Sequence, residues 1–152
     1  MLVNPTPLLA FERAELMKQL RCLVVDDDEV GRELLILNLQ GLAQCDSAAD
    51  GREALDKYSA TLDTNPYDLI FLDIIMPVMD GHETAKAIRR MEMERGIIPD
   101  KGVNIIVLSS LNTPQDIIKS YVSAHSAAHI VKPVKADKLI KTLHKLGLLP
   151  AP

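Results

Sequence analysis

Five short apolar runs recur along the chain, separated by longer stretches in which apolar residues return at helical spacing. The runs cover residues 21–26, 43–48, 68–73, 103–110 and 128–132. Four of them are continuously apolar, as in parallel strands that are covered on both faces, whereas 43–48 is more polar and suits the edge of a sheet. The pattern therefore predicts five strands, with the second of them at an edge.

The stretches that follow these runs have the periodicity of amphipathic helices. They cover residues 29–40, 51–62, 81–96, 113–125 and 135–147. Thr113 and Pro114 are suited to an N-cap and a first helical position, while Gly41 and Gly147 are stop signals. Five strand–helix units in series predict an α/β fold with an open, doubly wound, five-stranded parallel sheet.

The domain organisation follows from the chain length and from the position of the first strand. A chain of 152 residues fits one domain with a single core. We expect this domain to span residues 21–147, with an N-terminal extension over 1–20 and a short tail over 148–152. Residues 8–20 favour a short helix, so the extension is either a frayed or ordered terminus or a linker or pairing helix.

Composition and charge indicate which kinds of partner the protein binds and in which cellular compartment it acts. Hydrophobic residues make up 47% of the chain and charged residues 25%, which is typical of a globular domain. The net charge of −4 gives no general attraction to nucleic acid or to an anionic membrane, so we expect neither as a partner. No apolar run approaches the about 20 residues of a membrane span, and the N-terminus lacks the features of a signal peptide. Cys22 and Cys45 match no metal-binding spacing, and we expect reduced thiols in a cytoplasmic protein.

Charged and hydroxyl side chains collect where the predicted strands end. The carboxyl ends of parallel strands meet at one edge of a doubly wound sheet, which is where such folds bind ligands. The residues at these ends are Asp26 and Asp27, Asp73, Ser109 and Ser110, and Lys132 followed by Pro133. The sequence therefore predicts a pocket that holds three carboxylates, a hydroxyl and a lysine.

This set of groups suits phosphoryl chemistry with a divalent cation. Three neighbouring carboxylates raise one another's pKa unless a cation lies among them. Carboxylate and carbonyl oxygens together with water are typical ligands of Mg²⁺, which leaves a position for a phosphoryl oxygen. An ionised aspartate can attack phosphorus, while a lysine and a hydroxyl bind the remaining phosphoryl oxygens.

The two acidic residues that follow Asp27 are predicted to serve a helix rather than the pocket. Asp28 suits the N-cap of the first helix, and Glu29 suits the positive end of the helix dipole. Four consecutive acidic residues are therefore divided between a cation site and a helix start.

Four segments give the sequence a resemblance to a known family. In chain order they read "CLVVDDDEVGRELL", "YDLIFLDIIMPVMDGHETAKAIR", "IIVLSS" and "HIVKPV". In this order and spacing they resemble the receiver domain of two-component response regulators, and the resemblance covers about residues 20–147. It implies the flavodoxin-like (βα)5 receiver fold with strand order 2-1-3-4-5.

The resemblance implies a metal site and a phosphoacceptor at the strand ends. Asp73 matches the aspartate that takes a phosphoryl group from a phosphohistidine, and it also contacts Mg²⁺ in the family. Asp27 matches a direct Mg²⁺ ligand and Asp26 matches an acid that acts mostly through water. Ile75 stands where the backbone carbonyl supplies a further metal ligand.

The resemblance also implies residues that respond to the phosphoryl group. Ser109 matches the switch hydroxyl that moves to this group, and Lys132 matches the lysine that binds it and precedes a cis peptide to Pro133. His129 stands where many receivers carry a Tyr or Phe that turns inward during switching. We interpret His129 in one of two ways. It is either a substitute ring, whose movement is coupled differently to that of the switch hydroxyl, or an ordinary surface residue of the strand.

These matches favour a phosphorylation-dependent switch in a two-component or phosphorelay system. We expect its partner to be a histidine kinase or a histidine phosphotransfer protein. We also expect no output domain, so that the protein signals by contact or passes the phosphoryl group on. No enzymatic activity is expected beyond its own phosphorylation and dephosphorylation.

Other functions stay open at this point. One is a degenerate receiver that binds a partner without phosphorylation. Another is a Mg²⁺-dependent phosphohydrolase of the haloacid dehalogenase type, although Ile75 replaces the second aspartate of that motif. The chain could also be a receiver taken from a larger hybrid kinase.

Overall fold

A computed structural model describes residues 19–110, 113–123 and 125–150. Five strands alternate with five helices, and a short 3-10 helix, Pro99–Lys101, precedes the fourth strand. The strands are β1 (Leu20–Val25), β2 (Ala43–Ala48), β3 (Leu69–Asp73), β4 (Asn104–Ser109) and β5 (Ala128–Val131). The helices are α1 (Glu29–Asn38), α2 (Gly51–Thr61), α3 (Gly81–Glu94), α4 (Pro114–Ser123) and α5 (Ala136–Lys145). Of the N-terminal extension predicted over residues 1–20, residues 1–18 lie outside the described part of the chain, and Leu20 is already the first residue of β1.

All neighbouring strands are parallel, in the order β2-β1-β3-β4-β5. This topology confirms the predicted doubly wound sheet and its strand order. The edge position of β2 is also confirmed, because half-buried and exposed residues alternate along most of it. β5 forms the other edge and alternates between buried and half-buried residues, so the expectation that it is covered on both faces is wrong. His129 and Val131 point to the less covered face and are half-buried, whereas Ala128 and Ile130 point to the other face and are buried.

Successive strand residues point to opposite faces of the sheet, and two apolar layers result. One layer joins α2 and α3 to the sheet through residues such as Leu55, Ile88 and Val107. The other joins α1 and α5 to it through residues such as Leu35 and Leu143. Helices therefore pack against both faces of the sheet, and its carboxyl edge is left for polar groups.

The helix ends follow the predicted signals. Gly41 and Gly147 have positive φ angles of 81° and 73°, which glycine adopts at little cost. Thr113 Oγ1 accepts a hydrogen bond from the N–H of Asp116 (3.2 Å), so it caps α4 as predicted. After α5, the N–H of Leu148 donates to the Leu143 carbonyl (2.9 Å), so the start of the expected tail stays against the domain.

A buried carboxylate joins α3 to the amino end of β4, opposite the predicted pocket. Glu92 is only 4% exposed, although the sequence places it in a polar helical segment. Its oxygens accept hydrogen bonds from the Tyr58 hydroxyl (3.0 Å), the Val103 N–H (2.6 Å) and Arg89 Nη1 (2.7 Å). Arg89 also donates to the carbonyls of Val103 and His125, both at 2.8 Å. This network ties α2, α3 and the loop before β4 together.

Within the described residues, no helix combines the length and the apolar character that a membrane span requires.

Candidate functional site

The carboxyl ends of β1 and β3 bring three carboxylates together. Asp73 is the last residue of β3, and Asp26 and Asp27 directly follow β1, its parallel neighbour. One carboxylate oxygen from each of the three residues lies within 4.8 Å of the other two. Asp26 and Asp73 are buried and Asp27 is exposed. The predicted acidic cluster is therefore present, with one member open to solvent.

Lys132, directly after β5, reaches two of these carboxylates. Its Nζ lies 2.7 Å from Asp26 Oδ2 and 3.4 Å from Asp73 Oδ2. Its backbone N–H donates to the Ser109 carbonyl (2.9 Å), which anchors the residue to the end of β4. The peptide between Lys132 and Pro133 is cis, as the resemblance implies. The positively charged ammonium group of Lys132 thus lies next to the two buried carboxylates.

Burial dominates the electrostatics of the pocket. Burial raises the pKa of Asp73 to about 6, while the Lys132 ammonium acts in the opposite direction and the Asp26 carboxylate adds to the increase. For Lys132, burial acts to lower the pKa, but the hydrogen bond to Asp26 and the charge of Asp73 outweigh it and raise the pKa. One lysine therefore does not fully compensate the carboxylates around it.

The donor set fits a hard divalent cation such as Mg²⁺. All three side chains offer carboxylate oxygens, and Mg²⁺ prefers oxygen ligands at about 2.1 Å, which places opposite ligands about 4 Å apart. The observed limit of 4.8 Å is close to this separation. A cation among the oxygens would also offset the burial of the ionised Asp73 carboxylate and its repulsion from Asp26, both of which raise the pKa of Asp73.

We predict that the metal-free protein becomes less stable as the pH rises through the ionisation of Asp73. The folded chain holds this proton up to about pH 6, whereas an aspartate in the unfolded chain releases it near 3.8. Because the folded state binds more protons in this interval, the contribution of Asp73 to the free energy of unfolding falls there, by at most about 3 kcal/mol. Urea unfolding in a chelator should show Asp73→Asn gaining stability relative to the unsubstituted protein between about pH 4 and pH 7. A difference that stays constant over this range would contradict the assignment.

Two residues that were not predicted to belong to the site contact its loops. Arg32, on α1, donates from Nη1 to the backbone carbonyl of Asp26 (2.7 Å). Gly81, at the start of α3, packs so closely that a Cβ there would lie 2.3 Å from the Asp73 carbonyl oxygen. Its N–H donates to the Ile74 carbonyl (2.8 Å). In the sequence this glycine signals only a turn, which conceals the contact.

Backbone amides also contact the carboxylates. The N–H of Asp28 donates to Asp26 Oδ1 (2.9 Å), and the N–H of Ile75 donates to Asp73 Oδ1 (3.3 Å). Asp28 occupies the N-cap of α1 as predicted, but its side chain makes no capping hydrogen bond. Its Oδ2 instead lies over Gly31, 3.1 Å from the position of a Cβ there. The metal-binding role of the Ile75 carbonyl stays a prediction.

Ser109 and His129 lie on the side of the pocket next to α4. Both line a cavity of about 250 Å³ that Ile75 also borders, and Ser109 is buried at the end of β4. His129 is half-buried, and its Nδ1 lies 2.9 Å from the hydroxyl oxygen of Ser120 on α4. The Ser120 hydroxyl also lies 2.8 Å from the Ile117 carbonyl, to which it donates within α4. The histidine thus connects β5 to α4, and its role as a switch ring stays a prediction.

Comparison with known proteins gives consistent matches. The family model described as "Response regulator receiver domain" matches residues 22–144. The two-component response regulator ORR41 of rice is 31% identical, over 86% of this chain and 97% of its own length. The chemotaxis protein CheY of Thermotoga maritima is 30% identical, over 84% of this chain and 97% of its own length. The osmosensing histidine protein kinase SLN1 of Saccharomyces cerevisiae is 33% identical over 78% of this chain, which spans only 9% of that kinase.

Solved structures show the same likeness. One is the receiver domain of the yeast regulator Ssk1 in a co-crystal with the histidine phosphotransfer protein Ypd1, with a TM-score of 0.75 and 28% identity. This match covers 86% of the present chain and 90% of the other. A second is the receiver domain of the histidine kinase CKI1 of Arabidopsis thaliana with Mg²⁺ and BeF3−, with a TM-score of 0.71 and 25% identity. It covers 88% of the present chain and 95% of the other.

Proposed function

Because this chain belongs to the response regulator receiver domain family, we propose that it is a signalling switch controlled by phosphorylation of Asp73. The observation that carries the proposal is the buried Asp73 carboxylate, which lies beside Asp26 and Asp27 and 3.4 Å from Lys132 Nζ. A carboxylate in these surroundings is a nucleophile placed next to groups that bind phosphoryl oxygens.

We propose Mg²⁺ as the cofactor, held by Asp26, Asp27, Asp73 and the backbone carbonyl of Ile75. When bound, Mg²⁺ would neutralise charge on the phosphoryl oxygens. Asp26 is also hydrogen-bonded to Lys132, which limits its freedom to contact a metal directly and agrees with contact through water. Asp27 is exposed and free to rotate toward a cation that enters from solvent.

The transfer itself is proposed to be an in-line displacement at phosphorus. A carboxylate oxygen of Asp73 forms the new O–P bond as the N–P bond to the donor histidine breaks, and that nitrogen leaves with the electron pair. Lys132 then binds a phosphoryl oxygen, and the Ser109 hydroxyl binds another. We propose that His129, through Ser120, passes this rearrangement to α4.

The phosphoryl donor is proposed to be a histidine kinase or a histidine phosphotransfer protein. The likeness to a receiver that was crystallised with a phosphotransfer protein supports this choice.

We further propose that residues 21–147 form the receiver, flanked by an extension over 1–20 and a tail over 148–152. It would act in the cytoplasm, by contact with a protein partner or by onward transfer, without nucleic acid or membrane as partners.

Phosphorylation by a small donor tests the proposal. Incubation of the purified protein with Mg²⁺ and acetyl phosphate should add one phosphoryl group, about 80 Da by intact-mass spectrometry, and a chelator should prevent this. Continuous release of phosphate from small phosphate esters would indicate a phosphohydrolase instead. A chain that stays unmodified even with a phosphorylated phosphotransfer protein would indicate a phosphorylation-independent binding module.

We expect Lys132→Ala to lower the rate of phosphorylation by acetyl phosphate about 100-fold, because the transferred oxygens lose their ammonium partner. Mg²⁺ binding should be retained, since the carboxylates stay and lose a competing cation. The rate is measured by intact mass against time, and Mg²⁺ binding by isothermal titration. Lys135→Ala, at an exposed lysine outside the cluster, is the matched control and should behave like the unsubstituted protein. Unchanged phosphorylation of Lys132→Ala would remove the proposed role.

A further inference from the structure

The two cysteines lie directly opposite each other on neighbouring strands. Cys22 on β1 pairs with Cys45 on β2 in the parallel register. Residues that pair in this way point to the same face of a sheet, and both side chains pack in the apolar layer under α1 and α5. They are 23 positions apart in the sequence numbering, so only the fold brings the thiols together.

The two thiols differ in access to solvent and in acidity. Cys22 is 0% exposed, whereas Cys45 is half-buried on the edge strand. Burial raises the pKa of the Cys22 thiol well above its ordinary value. A hydrogen bond from Cys22 lowers the pKa of Cys45. Cys45 is therefore the thiol that a small oxidant meets, and the one that forms the nucleophilic thiolate more easily.

Strand geometry allows the two sulfurs to bond. Neighbouring strands lie about 4.8 Å apart, which is inside the range of Cα separations of about 4.4–6.8 Å found in disulfides. β2 is hydrogen-bonded to a neighbour on one side only, so it can shift toward β1 without breaking a second strand pairing.

We propose that Cys22 and Cys45 form a peroxide-responsive thiol pair that closes into a reversible disulfide between β1 and β2. The Cys45 thiolate attacks one oxygen of hydrogen peroxide, the O–O bond breaks, and a sulfenic acid and hydroxide form; the hydroxide takes a proton to become water. Cys22 then attacks the sulfenic sulfur, the S–S bond forms as the S–O bond breaks, and a second water leaves. Two thiols are oxidised and one peroxide is reduced to two waters, with no further reactant.

This pair is independent of the proposed phosphorylation of Asp73. The thiols lie in the apolar layer, and Cys22 lies within β1, four positions before Asp26, which follows the end of that strand. The disulfide would tie the edge strand to the strand that leads into the acidic cluster.

Peroxide treatment of the folded full chain tests the pair. The titratable thiols, counted after denaturation, should fall from two to none, with a mass loss of about 2 Da in a monomeric chain. Non-reducing peptide mapping should recover the Cys22 peptide joined to the Cys45 peptide, and dithiothreitol should restore both thiols. Two unreacted thiols, chains joined through Cys45, or a sulfinic acid at Cys45 beside a free Cys22 would each overturn the proposal.

Two variants test the order of attack. In Cys45→Ser the remaining buried thiol should react with peroxide at least about 10-fold more slowly than the pair. In Cys22→Ala, Cys45 should react but stop at a sulfenic acid that dimedone traps. Rapid reaction of Cys22 alone would overturn the assignment of Cys45 as the attacking thiol, and the peptide map of the unsubstituted chain does not depend on how either variant folds.

Discussion

Asp73→Asn is expected to abolish phosphorylation by acetyl phosphate, with a rate reduced at least about 1,000-fold. The asparagine amide has nearly the same shape as the carboxylate, but its oxygen carries no full negative charge and attacks phosphorus poorly. The new amide would also lie beside an unchanged Lys132 and Asp26, so the loss would reflect the nucleophile rather than the surroundings. Intact-mass spectrometry with Mg²⁺ and acetyl phosphate measures the extent of modification over time.

The control for this prediction is Asp56→Asn. Asp56 is an exposed carboxylate on α2, away from the carboxyl edge of the sheet, and its replacement should leave phosphorylation unchanged. A phosphoryl group that appears on Asp73→Asn at the rate of the unsubstituted protein would show that another residue accepts it. Peptide mapping after borohydride reduction would then identify that residue.

Glu92→Ala is expected to destabilise the protein by about 3 kcal/mol and to lower its Tm by about 10 °C. The substitution removes the acceptor of three hydrogen bonds and leaves the Tyr58 hydroxyl, the Val103 N–H and part of the Arg89 guanidinium without this partner. Since Glu92 is buried, water does not readily replace it. Urea unfolding monitored by circular dichroism gives the free energy.

Two variants distinguish this network from a general effect on α3. Glu94→Ala changes an exposed glutamate two positions along the same helix and should shift the free energy of unfolding by less than about 0.5 kcal/mol. Glu92→Gln keeps the shape and an accepting oxygen, and it should fall between Glu92→Ala and the unsubstituted protein. Equal stability of Glu92→Ala and Glu94→Ala would show that the network contributes little.

The fold could be predicted from the sequence because its signals are local. Continuous apolar runs, amphipathic spacing and stop signals such as Gly41 place each strand and helix within two residues of its observed bounds. The acidic pocket could be predicted for a related reason, since Asp26, Asp73 and Lys132 each lie at the end of an apolar strand. The parallel topology then requires that those ends meet at one edge.

Features that depend on contacts between distant segments could not be predicted in this way. Glu92 sits in a polar helical segment, and only the return of the chain at Val103 buries it and supplies a donor. The pairing of Cys22 with Cys45 requires the register of β1 and β2, which neither strand contains by itself. The contact of His129 with Ser120 depends on how α4 lies against β5, which neither element contains by itself. Periodicity reports which face of an element is covered, but not which residue covers it.

The tight contact between Gly81 and the Asp73 carbonyl has a mechanical consequence. With no room for even a methyl group between them, the start of α3 lies directly against the loop that follows Asp73, and we expect the two to move together. The hydrogen bond from the Gly81 N–H to the Ile74 carbonyl is a second contact between the same two segments. We therefore expect a displacement of that loop to shift α3, whose far end holds Glu92 and the network that joins it to α2 and to the loop before β4. The helix is thus held against the pocket at its first residue and by the Glu92 network near its last.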